Sequence, residues 1–240
     1  MQNLKRAKVL GVPIDLTDLS QAHKYILEHI EEKKKLHVIT INAEIIMLAK
    51  ENKEFSEIVN NAGLIIPDGS GVVLALKKQK INNPKVAGIE LALKCVKDGN
   101  SRIFLFGGKE DVIKSAYEKL KTDYPQSNII GYRNGYFSED EEEKIIEEIN
   151  SLNPDILLIG LGVPKQEQWI VKMFNKINAS VFIGVGGSFD VFSGKIQRAP
   201  LIMRKWHLEW LYRLYKEPWR WKRMLVLPRF VFNVLLYKDK

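Results

Sequence analysis

Ile156-Leu157-Leu158-Ile159-Gly160-Leu161-Gly162-Val163-Pro164-Lys165-Gln166-Glu167 decides the fold class. The apolar run Ile156–Leu161 is too short for a helix, ends in a glycine turn, and leads into the amphipathic stretch Gln166–Asn175. A strand apolar on both faces must be covered on both, which a helix-flanked parallel sheet achieves. The same unit recurs along the chain. Further candidate strands are Val9–Val12, His37–Ile41, Leu64–Ile66, Arg102–Phe106, Asn128–Gly131 and Val181–Val185. Between them lie Leu19–Glu31, Ala43–Asn60, Ile89–Lys97, Asp111–Thr122 and Glu139–Ile149, all with helical periodicity. This alternation predicts an α/β fold, a mostly parallel sheet with helices on both faces. The acidic run Asp140–Glu143 reads as a helix start after a Ser138 cap, where negative charge suits the dipole.

In such sheets ligands gather where strands end and helices begin. Four loops stand there: Thr40-Ile41-Asn42-Ala43-Glu44, Pro67-Asp68-Gly69-Ser70-Gly71, Gly160 to Glu167, and Gly184-Val185-Gly186-Gly187-Ser188-Phe189-Asp190; Gly107-Gly108 is a weaker fifth. Each glycine loop is a tight turn or a phosphate cradle, and their convergence on one sheet edge favours a nucleotide-type ligand. Neither standard nucleotide signature is met. Both Gly-x-Gly loops lack the third glycine of the dinucleotide fingerprint, and Gly187…Gly194-Lys195 has the wrong spacing for a P-loop. Asp68, between Pro67 and Gly69 at a strand end, has the placement of a general base for a hydroxyl nucleophile; a turn or helix-capping aspartate is the alternative. No Asp-x-Asp pair, His-x-x-x-His pair or nucleophile elbow is present, so metal and Ser-His-Asp chemistry are not expected.

Charge divides the chain in two. Residues 195–240 hold 12 Lys or Arg against 3 Asp or Glu, whereas the whole chain is only +8, so the first 194 residues are close to neutral. Four of the five tryptophans (Trp206, Trp210, Trp219 and Trp221) lie in this tail. We therefore expect a catalytic core over 1–194 and a basic, aromatic appendage over 195–240. Ala199-Pro200 opens a helix through Lys216, Pro218 a second segment and Pro228 a third. The apolar positions pack on the body or lie in a lipid interface. The run after Pro228 is greasier than a nucleic-acid surface, so a membrane partner is preferred over RNA. The run Met224–Tyr237 falls short of the roughly 20 apolar residues that span a bilayer. With Cys95 as the only cysteine and no secretory leader in the charged start, a cytosolic protein that sits on a surface is expected.

With these loops in place the chain resembles the WecG/TagA/CpsF family of glycosyltransferases (family 26), most closely its TagA branch. The matching stretches are Gly11 to Asp15, Thr40 to Glu44, Pro67 to Gly71, Val86-Ala87-Gly88, Gly135-Tyr136-Phe137, Leu161 to Glu167, Gly184 to Asp190, Leu208 to Arg213 and Glu217-Pro218-Trp219-Arg220. The resemblance implies a Rossmann-like α/β core with a C-terminal helical appendage that binds the inner face of the cell membrane. It also implies metal-independent, inverting transfer of N-acetylmannosamine from UDP-ManNAc to the C4 hydroxyl of GlcNAc-diphospho-undecaprenol, in building the wall teichoic acid linkage unit, with no cofactor. Carried onto this chain, Asp68 is the general base, Thr40 positions the donor sugar or its diphosphate, and Asn42 lines the pocket. Gln166 holds a sugar. Gly107 and the stretch Gly184, Gly186, Gly187 and Ser188 serve the UDP, with Asp190 and Tyr136 near the nucleoside. Arg213, Arg220 and Arg223 reach over from the tail to stabilise the leaving diphosphate. Lys85 stands where the family often has Arg, which keeps the charge but loses the bidentate fork. A sibling transferase using UDP-ManNAc-uronic acid and a non-catalytic UDP-sugar-binding membrane adaptor remain open, as does self-association through the tail.

Overall fold

The computed structural model of the chain describes residues 4–206, 208–218 and 221–236, without the side chain of residue 222. It begins with a hairpin of β1 (Arg6–Val9) and β2 (Val12–Asp15), Val9 opposite Val12 and Arg6 opposite Asp15. The expected strand Val9–Val12 is therefore the corner of a hairpin. Leu10 and Gly11 take positive φ values of 53° and 87°, the two-residue turn that matches the twist of paired strands. Arg6 clasps Asp15 at the open end through hydrogen bonds of 2.8 and 2.9 Å.

The body continues as α1 (Leu19–Glu31), β3 (Leu36–Ile41), α2 (Ala43–Glu51), α3 (Lys53–Asn60), β4 (Leu64–Pro67), α4 (Ser70–Lys78), α5 (Gly88–Asp98), β5 (Ile103–Gly107), α6 (Glu110–Asp123) and β6 (Ile129–Arg133). After a 3-10 turn over Glu139–Glu141 come α7 (Glu142–Leu152), β7 (Ile156–Gly160), α8 (Lys165–Met173), β8 (Val181–Gly184) and α9 (Ser188–Phe192). The helix expected over Ala43–Asn60 is two. Asn52 adopts extended backbone and caps the second, its side chain accepting the Phe55 N–H at 2.9 Å. Ser138 opens its helical segment as expected, with Glu141 accepting both the Ser138 N–H and its hydroxyl.

β3 to β8 form one parallel sheet of six strands in the order β4-β3-β8-β7-β5-β6. Alternate residues face opposite layers. Val38, Ile66, Leu105, Leu158 and Ile183 pack with α1, α5, α6 and α9. On the other face Ile39, Ile41 and Ile65 meet the hairpin and α2 to α4, while Phe104, Phe106, Leu157 and Phe182 meet α7 and α8. Register sets Ile41 beside Pro67, Ile159 beside Gly184 and Gly107 beside Gly160, so the loops after five strands open along one edge. The helix after β3 lies on one face and the helix after β8 on the other. Adjacent strand ends whose chains diverge in this way leave a crevice.

The tail holds α10 (Leu201–Lys205), α11 (Glu209–Lys216), α12 (Trp221–Met224) and α13 (Val226–Leu236), so the single helix expected from Ala199 to Lys216 is broken into two. α13 packs on α2 and α4, with Phe230 1% exposed against Gly71. Part of the tail is thus core. α10 and α11 bury no residue and leave Leu201, Ile202, Trp206, Trp210 and Tyr215 exposed; α13 adds Phe232, Leu235 and Leu236. Among the described residues no helix is long and apolar enough to cross a membrane.

Candidate active site

The crevice is a cleft of about 610 Å³ roofed by the tail. Its floor comes from the β3 and β4 ends. Thr40 donates its hydroxyl to the Gly184 carbonyl at 3.0 Å, tying β3 to β8. Its methyl group rests on Gly88, where an added Cβ would lie 2.7 Å away. Asn42 also lines the cleft, but its carbonyl oxygen is engaged in capping α2, accepting the Ile45 N–H at 3.0 Å. Asp68 follows β4, half-buried, its backbone N–H bonded to the Ile41 carbonyl. Its Oδ2 accepts the N–H of Gly88, the first residue of α5, at 3.2 Å. Burial pushes its carboxyl above the usual aspartate value, against the positive charge of Lys85 and that hydrogen bond; Glu209 pushes the same way as burial. A carboxylate so destabilised is a stronger base than a solvated one.

The far wall is the turn after β8. Gly186, at φ 51°, gives its N–H to Gln166 Oε1 at 3.0 Å, and Ser188 gives its N–H to the Val185 carbonyl at 3.1 Å and its hydroxyl to the same oxygen at 2.7 Å. Gly187 faces Arg213: an added Cβ would stand 2.6 Å from Arg213 Nη2 and 3.4 Å from Asp190 Oδ2. Arg213 Nε is held by Glu217 at 3.0 Å, while Nη2 is buried without a hydrogen-bond partner among the described residues. Glu217 balances the charge, but Nη2 keeps unused hydrogen-bonding capacity beside a glycine turn.

Gln166 is only 2% exposed, and both ends of its amide are engaged, one by Gly186 and the other by Glu167 at 2.8 Å. The Glu167 carboxyl, 1% exposed, is pushed up to about 7, by burial first and the charge of Glu44 in addition. Above the floor, Glu209 bridges Lys85 (2.8 Å) and Arg198 (3.3 Å). Burial works to raise the Glu209 carboxyl, but Lys85 and Arg198 outweigh it and hold it below the ordinary glutamate value. Arg223 pairs with Glu44 through two hydrogen bonds of 2.8 and 2.9 Å.

Thr40, Asn42, Asp68, Lys85, Tyr136, Gln166, Gly186, Gly187, Ser188, Asp190, Arg213 and Arg223 therefore meet in one cleft. Gly107 and Gly184 lie behind its wall as strand residues. A Cβ on Gly107 would collide with the Gly160 backbone, and one on Gly184 with Gln166 Nε2. Arg220 lies outside the described residues. Sequence reasoning missed Glu44 and Glu209 as partners of the site's cations, and Arg198 as the second cation on Glu209. Glu209 carried a signal, as one of three acids in a tail of twelve cations.

A family model described as the glycosyl transferase WecG/TagA/CpsF family matches residues 7–240. A Bacillus subtilis (strain 168) protein named N-acetylglucosaminyldiphosphoundecaprenol N-acetyl-beta-D-mannosaminyltransferase is 36% identical over 231 residues, covering 94% of this chain and 89% of its own. A Bacillus spizizenii protein of the same name is 36% identical over 216 residues, covering 88% and 82%. One from Staphylococcus aureus (strain MW2), again so named, is 32% identical over 246 residues, covering 99% and 95%.

Proposed function

The chain belongs to the WecG/TagA/CpsF family of glycosyl transferases, and on that premise we propose how it performs an N-acetylmannosaminyl transfer. The acceptor is GlcNAc-diphospho-undecaprenol, as the name of its relatives describes, and the donor, on the family resemblance, is a UDP-sugar. That name specifies N-acetylmannosamine, which favours it over the uronic acid as the sugar moved.

Asp68 takes the proton from the acceptor C4 hydroxyl. The O4 oxygen attacks the anomeric carbon of the donor, and the bond from that carbon to the β-phosphate oxygen breaks. One base and one displacement invert the anomeric centre. Negative charge develops on the departing UDP, beside Arg213 and the Gly187 turn, which both line the cleft. Thr40 and Asn42 border the reacting centre beside Asp68, Lys85 lends it positive charge, and Tyr136 and Asp190 flank the nucleoside. Gln166, with its amide already committed, serves the donor through the Gly186 turn. Arg223 contributes after release from Glu44. Arg220 completes the set on the family resemblance alone.

Residues 1–194 supply the binding core and residues 195–240 close it. The exposed apolar side chains of α10, α11 and α13, together with the tail's excess of cations, suit an anionic bilayer, so the enzyme works peripherally at the inner face of the membrane. The observation that carries this reading is that one cleft holds both a half-buried carboxylate of raised pKa and an arginine whose Nη2 has no hydrogen-bond partner among the described residues. The test is UDP release from UDP-ManNAc with and without a lipid-linked GlcNAc diphosphate. Release that depends on acceptor is expected; release indifferent to it sinks the reading. Competition by other UDP-sugars then ranks the donors.

A further inference from the structure

Glu167 does not line the cleft, yet it controls a residue that does. The Gln166 side-chain amide has a donor end and an acceptor end of nearly equal shape, so packing alone does not choose between its two orientations. Gly186 N–H requires the acceptor end, at 3.0 Å. Glu167 Oε1 lies 2.8 Å from the other end and accepts from Nε2. Gly184 completes the slot, since any Cβ there would collide with Nε2. Turning the amide over would set its NH₂ against the Gly186 N–H and, with Glu167 ionised, its oxygen against the carboxylate, two unfavourable contacts at side chains only 2% and 1% exposed. Glu167 Oε2 is buried with no hydrogen-bond partner among the described residues, so the carboxyl is kept there for what Oε1 does.

We propose that Glu167 is a positioning residue. It fixes the orientation of the Gln166 amide and, through it, the Gly186–Gly187 turn against which Arg213 presents its unpartnered nitrogen to the donor diphosphate. The inference rests on the UDP-sugar reading of the cleft. Gly186 and Ser188 spend their N–H groups inside the protein, so the turn serves the ligand by its shape and by what stands beside it. Glu167 maintains that shape.

The test compares Glu167→Leu, which removes the acceptor oxygen, with Glu167→Gln, which keeps one. UDP affinity is measured by calorimetry, and donor and acceptor KM by steady-state kinetics, on the full chain. E167L should bind UDP about tenfold more weakly, the worth of one hydrogen bond. Its donor KM should rise by the same factor and its acceptor KM stay within about twofold, while E167Q should lie within about threefold of the parent for donor. Unchanged UDP affinity in E167L, or equal loss in E167Q and E167L, overturns the inference. Should E167L not fold, Gly184→Ala displaces the same amide from the opposite side. It should weaken UDP likewise, and parental affinity there overturns the proposal. A parent chain that fails to bind UDP at all would refute the UDP-sugar reading itself, a result separate from any of these.

Discussion

Glu209 Oε2 lies 2.8 Å from Lys85 Nζ, joining a tail helix to the loop before α5 through side chains only 28% and 20% exposed. Both charges act on Asp68, in opposite directions. A general base works ionised, so the rate rises with pH through its pKa. Lys85→Met removes the charge that favours ionisation and should move the acid limb of the pH–rate profile to higher pH. Glu209→Gln should move it to lower pH. Identical acid limbs in both variants would mean that Asp68 is not the group seen in the profile.

Arg213 is the cation whose loss should cost most. Arg213→Ala removes the nitrogen that faces Gly187 and should lower kcat by about 10²–10³, the range for deleting one preorganised charge-stabilising donor. Arg213→Lys should recover part of this, since charge returns without the planar fork. Single-turnover rates at saturating donor measure it.

Gly88 serves two residues at once. Its N–H meets Asp68 at 3.2 Å and its missing side chain leaves room for Thr40. Gly88→Ala forces a Cβ against Thr40 and should destabilise the fold by about 1–3 kcal/mol, read from urea denaturation. Transfer should fall further than stability alone explains, because the acidic floor of the cleft shifts with the helix end.

Phe230 and Phe232 divide the last helix into an inner and an outer face. Phe230→Ala should cost about 3–5 kcal/mol in denaturation, as a buried aromatic does. The paired change Phe232→Glu with Leu236→Glu should leave the fold intact and weaken sedimentation with phosphatidylglycerol vesicles by at least about tenfold. Removing residues 195–240 altogether would uncover the Phe230 pocket as well as the membrane face, so surface substitutions isolate the docking role.

Most of the sheet was legible because its strands are apolar on both faces, a pattern that few other structures produce. Ile156–Leu161 and Val181–Val185 led directly to β7 and β8 and to the glycine loops at their ends. The hairpin at Leu10-Gly11 was hidden because its first turn residue is a leucine at positive φ, which no local pattern announces. α4 was lost because its buried residues, Val72, Ala75 and Leu76, follow a loop read for Asp68 and its glycines. For the site, strand-end position identified Asp68 and the Gly186 turn, while the roles of Glu209, Glu44 and Glu167 depend on contacts across 124, 179 and 1 residues. The first two pairings are tertiary, and the third depends on which way one amide points. Periodicity encodes none of these.

Asp68→Asn bears most directly on the central claim. The asparagine can still accept the Gly88 N–H but cannot take a proton from the acceptor hydroxyl. Acceptor-dependent UDP release should fall about a thousandfold while UDP affinity stays within about twofold of the parent. Transfer at the parental rate, or a loss of UDP binding that matches the loss of rate, would contradict the account.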